Sequence, residues 1–195
     1  TTFTLRKSVR FSGQPKLAKA REDMLKLEND GKSARMFSFK EVIKATNGFS
    51  KNRILGSGGF GEVYKGELQD GTVVAIKSAK VGNVKSTEQV LNELRILSQV
   101  NHKNLVKLLG CCVEAEQPLI IYEYISNGTL HDHLHGKYSH SLDWKTRLKI
   151  ALGTAEALAY LHSAAYTPIY HRDVKSTNIL LDDDFNSKVS DFGLS

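Results

Sequence analysis

Cysteine is nearly missing: two in 195 residues, side by side at Cys111 and Cys112 inside an apolar run. That excludes a disulfide framework and suits buried thiols in a reducing, cytosol-facing compartment. Long hydrophobic runs are missing too. The best candidate, P-L-I-I-Y-E-Y-I at 118–125, is interrupted by Glu123 and falls short of the roughly 18–20 residues of a membrane span. There is no signal peptide, internal repeat or low-complexity tract, and both ends read as cut, the first residue being Thr1 rather than Met. Excess charge of one sign is confined to one segment. The formal charge is +6, but residues 1–36 hold nine Lys/Arg against four Asp/Glu, leaving 18 against 17 in the rest. A basic tail without aromatic interleaving reads as a solvated linker or as a polybasic segment beside a membrane. Nucleic acid is not an expected partner.

What is present is enough for a real core: 41% of residues are hydrophobic, in one domain or two small lobes. Residues 1–36 lack sustained apolar periodicity and are expected to be disordered, or a frayed helix around 16–28. Folding is expected from Phe37, where Ser38 and Glu41 have the spacing of a capping box, Val42, Ile43 and Ala45 follow, and Gly48 stops a short docking helix. Strands are predicted at 53–56, 62–68 and 72–77, the last two joined by a Q-D-G hairpin signal, with two more around 105–113 and 118–125. Between them, a cap at Ser86 and Leu91, Leu94 and Leu97 at helical spacing predict a helix over 86–100. After S-N-G-T-L the pattern turns helical, and a long buried helix is predicted over 142–162 with Leu148, Leu152, Ala155, Leu158 and Ala159 on its inner side.

Four motifs carry chemistry. G-S-G-G-F-G-E-V at 56–63 contains G-x-G-x-x-G at Gly56, Gly58 and Gly61, where absent Cβ atoms let backbone N–H groups approach phosphate oxygens. A dinucleotide fingerprint needs a helix after the last glycine, but Val63, Tyr64 and Leu68 continue as a strand. V-A-I-K follows, with Lys77 on a strand among apolar residues, where an unpaired ammonium is costly. Glu93, in the core of the predicted helix, is the expected partner, in preference to Glu88 in its exposed first turn. H-R-D-V-K-S-T-N at 171–178 then puts an acid, a base and an amide in one short loop, and D-F-G begins eighteen residues after Asp173.

Glycine loop, strand lysine, H-R-D-x-x-x-x-N and D-F-G in this order make up the protein-kinase signature set. The chain resembles a eukaryotic protein kinase over roughly residues 49–195. F-S-F-K-E-V-I-K-A-T-N-G-F-S, V-N-H-K-N-L-V-K-L-L-G-C-C-V-E and I-Y-E-Y-I-S-N-G-T-L are similar to plant receptor-like kinases of the wall-associated receptor kinase-like branch. The resemblance implies an α+β kinase-like fold. A tail over 1–36 precedes a complete five-stranded small lobe with one main helix over 37–125, and 126–195 begin a helical large lobe that is incomplete.

It also implies an ATP- and Mg2+-dependent serine/threonine kinase acting on protein substrates. Leu55, Gly56, Ser57, Gly58, Gly59, Phe60 and Gly61 would cover the phosphates. Val63, Ala75 and Leu180 would wall the adenine, with Tyr122 as gatekeeper and Glu123 and Ile125 offering hinge backbone groups. Lys77, paired with Glu93, would hold the α/β-phosphates; Asp173 would orient the substrate hydroxyl, Lys175 neutralise the transferred group, and Asn178 and Asp191 bind Mg2+. Arg172 suggests control by a phosphorylated loop. A membrane span before Thr1 is expected, at the cytoplasmic side of a plasma membrane. The competing reading is a catalytically silent, ATP-binding or interaction module, and little activity is expected of these 195 residues alone. Outside the motifs, the histidines of H-D-H-L-H-G at 131–136 are expected on the surface, Asp182 to Asp184 in a solvated turn, and Phe192 in packing.

Overall fold

The computed structural model describes residues 35–58, 61–80, 82–115, 117–136, 138, 141–163 and 168–195. The tail expected over 1–36 lies outside them except for its last two residues, and these are not tail-like. Arg35–Met36 form strand β1, parallel to Gly110 and Cys111. The chain then enters helix α1, Phe39–Ala45. Ser38 accepts from the Glu41 backbone N–H while Glu41 accepts from the Ser38 N–H, the capping box read from the sequence. Three consecutive left-handed residues, Asn47, Gly48 and Phe49, end it.

The five expected strands follow as β2 (Ile54–Gly58), β3 (Gly61–Glu67), β4 (Val73–Ser78), β5 (Leu108–Cys112) and β6 (Leu119–Glu123). With β1 the sheet has six strands, in the order β1-β5-β6-β4-β3-β2, and every pairing but β1 with β5 is antiparallel. The sixth strand escaped the sequence because two residues carry no alternation to detect. Gly110 makes it possible: a Cβ there would lie 1.9 Å from the Arg35 carbonyl oxygen.

Helix α2 spans Val84–Leu97 and starts earlier than predicted. Asn83, not Ser86, is its cap, accepting from the Ser86 N–H at 3.1 Å, while the Ser86 hydroxyl accepts from Lys80 N. Leu94 and Leu97 are buried as expected; Val90 and Ile96 join them in place of the half-buried Leu91.

The two faces of the sheet bury separate cores. On one, Val90, Leu94 and Leu97 of α2 meet Leu108, Cys111, Ile120 and Tyr122; on the other, Val42 and Ala45 of α1 meet Val74, Ile76, Cys112 and Ile121. Neighbouring strand residues point to opposite faces, so Cys111 and Cys112 belong to different cores, each fully buried.

Beyond β6 come α3 (Leu130–Leu134), α4 (Trp144–Ser163), a 3₁₀ turn at Ser176–Asn178, and the hairpin β7 (Ile179–Leu181) with β8 (Ser187–Val189). The length of α4 is as predicted, but its buried face only in part: Leu158 packs half-buried against the core as expected. Ile150, Gly153, Ala157 and Leu161 face inward, whereas Leu148 and Leu152 are 51% and 63% exposed. The selecting residue is Gly153, where a Cβ would sit 2.6 Å from both Asn104 Nδ2 and Ser187 Oγ. Only that face lets α4 approach β8. His133 is likewise buried rather than on the surface, stacked on Tyr138 and set edge-on to Phe185, with its Nε2 2.8 Å from the Asn127 carbonyl. Asp182 shapes the turn before β8 by accepting from the backbone of Asp184 and Asn186. Among the described residues no helix is long and apolar enough to cross a membrane.

Candidate active site

Residues directly opposite one another in an antiparallel pair point to the same side. Val63 stands opposite Lys77 and Lys65 opposite Ala75, while Lys77 faces Ile120 and Ala75 faces Tyr122. Val63, Ala75, Lys77 and Tyr122 therefore share one face, and Lys77 shows what lies below it. Its ammonium is 2.6 Å from Glu93 Oε2 on α2 and 2.8 Å from Asp191 Oδ1. Glu93 is 1% exposed, so its charge depends on this pairing. Burial disfavours the ammonium, but Glu93 and Asp191 outweigh it and hold the Lys77 pKa above the ordinary value.

At the sheet edge, β2 and β3 form the hairpin of the glycine loop. Gly56 lies opposite Val63, Ser57 opposite Glu62, and Gly58 opposite Gly61. Leu55 is 47% exposed, and the positions of absent Cβ atoms at Gly56 and Gly58 face open space. Gly59 and Phe60 lie outside the described residues. Gly61 is required by the backbone: its φ is +138°, and a Cβ would fall 1.8 Å from the Ser78 carbonyl oxygen.

The residues of H-R-D-V-K-S-T-N converge on Asp173. Its Oδ2 is 2.7 Å from Lys175 Nζ and accepts from Asn178 Nδ2 at 3.0 Å; that amide also donates to the Asp173 carbonyl. Lys175 and Asn178 lower the Asp173 pKa against a partial desolvation that raises it. The loop is clamped from beneath by His171, 2% exposed, whose Nε2 lies 2.9 Å from the Ser190 carbonyl and whose Nδ1 accepts from Asp173 N. Asn178 is tied to the D-F-G segment by its own carbonyl, which accepts from the Ser190 N–H and hydroxyl. Arg172 and Asp191 adopt left-handed φ of 63° and 67°. Phe192 is fully buried in the core beneath α2, its ring 4.8 Å from that of His171.

Lys77, Asp173 and Asp191 line one small cavity together with Gln89, Val90, Gly193 and Leu194. Two larger grooves, of about 340 and 380 Å³, touch none of these three residues. No role is expected of Gln89 from the sequence, yet among the described residues its buried Oε1 has no partner, and the residue lines the cavity. Its signal was a polar side chain one helical turn before Glu93 on the same face.

Glu123 to Ile125, the expected hinge, follow Tyr122. The Tyr122 hydroxyl is buried beside Glu93, short of a well-formed hydrogen bond, and burial first, then the Glu93 charge and its side-chain contact with that hydroxyl, raise its pKa well above normal. Glu123 turns its side chain away to bind Lys188 Nζ at 3.0 Å and the Lys107 N–H at 2.9 Å. Ile125 follows at half-buried depth. Leu180 lies on β7, opposite Lys188 and bridged to Thr129.

The donors suit a hard cation and polyphosphate. No group of three or more His, Cys, Asp or Glu able to hold a metal occurs among the described residues. The two side-chain oxygens, Asn178 Oδ1 and the second Asp191 oxygen, fit an ion that takes most of its ligands from nucleotide and water.

Residues 49–195 match the protein tyrosine and serine/threonine kinase family. Among curated proteins of Arabidopsis thaliana, the chain is 62% identical over 182 residues to wall-associated receptor kinase-like 20, covering 92% of this chain and 28% of that protein. It is 50% identical over 204 residues to wall-associated receptor kinase-like 15, covering 100% of this chain and 32% of that protein. Against wall-associated receptor kinase 2 the figures are 56% over 162 residues, 83% and 22%. The chain thus spans about a third or less of these relatives. The family match begins just past α1 and covers most of the chain, which belongs to the protein tyrosine and serine/threonine kinase family.

Proposed function

We propose that the protein is an ATP- and Mg2+-dependent serine/threonine kinase of the receptor-like type, acting on protein hydroxyls. The observation that carries this reading is the meeting of Lys77, Glu93 and Asp191 above Asp173, Lys175 and Asn178, with an open glycine hairpin beside them. Lys77 holds the α/β-phosphates, and Glu93 keeps its ammonium in position. Hinge backbone groups of Glu123 and Ile125 take the adenine edge, Tyr122 closes the back, and Val63, Ala75 and Leu180 wall the base. Asp173 spends one oxygen on Lys175 and Asn178, leaving the other to accept the proton of the substrate hydroxyl. That hydroxyl oxygen bonds to the γ-phosphorus, the bond to the β–γ bridging oxygen breaks, and ADP leaves. Lys175 offsets charge on the transferred group and supports the Ser/Thr preference. Magnesium held by Asn178 and Asp191 would neutralise phosphate charge.

Attachment to a plasma membrane through a span preceding this segment is part of the proposal, supported by the basic residues of 1–36 and the relatives' names. These 195 residues alone are proposed to bind nucleotide with little or no transfer; Trp144, Leu148 and Leu152, exposed on one side of α4, support this because uncovered apolar surface destabilises that part of the chain. The deciding experiment is phosphate transfer from labelled ATP by the receptor's complete kinase domain, wild type against Asp173→Asn, with phosphoamino-acid analysis. Transfer to Ser/Thr that requires Mg2+ and vanishes in the variant is expected. Equal turnover by both proteins sinks the assignment of Asp173. Binding of ATP without turnover by the wild type favours the silent module.

A further inference from the structure

Among the described residues, the cleft face of the sheet carries one cation that the kinase chemistry does not use. Lys65 is directly opposite Ala75, and Ala75 is directly opposite Tyr122, so Lys65 points to the same side as the proposed adenine-wall residues. It lies two residues beyond Val63 on β3, farther from the glycine hairpin, at the base end of the cleft rather than the phosphate end. Among the described residues its ammonium has no carboxylate and no hydrogen-bond acceptor. It sits instead over the ring of Tyr124, 4.6 Å from the centroid. Tyr124 stands in the hinge between Glu123 and Ile125, whose backbone groups are proposed to read the adenine.

We propose that Lys65 and Tyr124 form a cation–π clasp that closes the outer edge of the adenine slot, making Lys65 a positioning residue for the purine base. The inference rests on the ATP-binding reading above. An ammonium over an aromatic face is held by the ring quadrupole, and the attraction strengthens when bound ligand displaces water from it. The clasp spans from the strand above the base to the hinge segment beside it. Both halves of the slot are then fixed before the base enters, which lowers the ordering cost of binding. Glu123 does not compete for the ammonium, since its carboxylate is committed to Lys188 and the Lys107 N–H.

The position gives the clasp a signature that a distant charge effect lacks. Acting at the base, it strengthens adenosine and ATP by the same factor; acting through the field on the triphosphate, Lys65 would affect ATP alone. The test is calorimetric titration of the full chain with adenosine and with a non-hydrolysable ATP analogue plus Mg2+. Lys65→Met and Tyr124→Leu should each weaken both ligands by about two- to five-fold, the range for such a pair. The double variant should be no worse than either single one, while Lys65→Arg and Tyr124→Phe should keep wild-type affinity. Thermal midpoints without ligand serve as the folding control, and Tyr124→Leu carries the test if Lys65→Met misfolds. Unchanged adenosine affinity in both variants overturns the clasp, as does a loss confined to the ATP analogue. Failure of the wild type to bind either ligand overturns the ATP reading itself, and the clasp with it.

Discussion

Lys77 holds two carboxylates at once, and each end of the pH scale should reveal a different partner in this site. Its pKa is raised in the folded chain, so its contribution to stability is complete below the ordinary lysine value of 10.5 and is lost as pH rises through the folded value. Asp173 is the opposite case. Hydrogen bonds from Lys175 and Asn178 depress its pKa, so its contribution is present above the ordinary 3.8 and is lost as pH falls through the folded value. Urea unfolding across pH should therefore show an acid limb that shrinks in Asp173→Asn and an alkaline limb that shrinks in Lys77→Met. An acid limb of unchanged size in Asp173→Asn would remove that residue from the account. Gly61 gives a sharper residue-scale expectation. Alanine there meets the Ser78 carbonyl and a forbidden φ together, so Gly61→Ala should cost on the order of 3 kcal/mol, against near-neutrality for Gly58→Ala in thermal melts.

At the scale of the element, α4 separates what periodicity can say from what it cannot. An alanine-rich stretch with leucines at helical spacing announces a helix but leaves two apolar sides: of the residues expected inside, Leu158 packs on the core while Leu148 and Leu152 lie in solvent. The deciding contact is between Gly153 and the side chains of Asn104 and Ser187, residues 49 and 34 positions away by their numbering, which no local pattern contains. Leu161→Ala should accordingly cost about 2–5 kcal/mol, whereas Leu152→Ala should stay within about 0.5 kcal/mol; equal losses would restore the original face. Helix α1 is the contrary case, legible to the cap because a capping box is made from residues three apart. Ser38→Ala should cost about 1 kcal/mol by the same melts. The site was readable for a related reason: its chemistry sits in short motifs. What anchors it, the bonds of His171 and Asn178 to Ser190, depends on segments brought together only by folding.

At the scale of the molecule, the small lobe is finished on both faces of its sheet, while α4 presents Trp144, Leu148 and Leu152 to solvent. A patch of that kind promotes association. Leu148→Glu with Leu152→Glu should lower light scattering of the 195-residue chain at matched concentration without shifting its thermal midpoint; unchanged scattering would clear this face. The same division into two faces reaches the chain's two thiols. Cys111 and Cys112 are adjacent in sequence, yet one is sealed by α2 and the other by α1. Neither can meet a reagent until its own side of the sheet opens. The pair is thus a built-in clock with two hands: alkylation timed separately at each thiol reports how often each helix lifts, and nucleotide should slow the Cys111 hand alone.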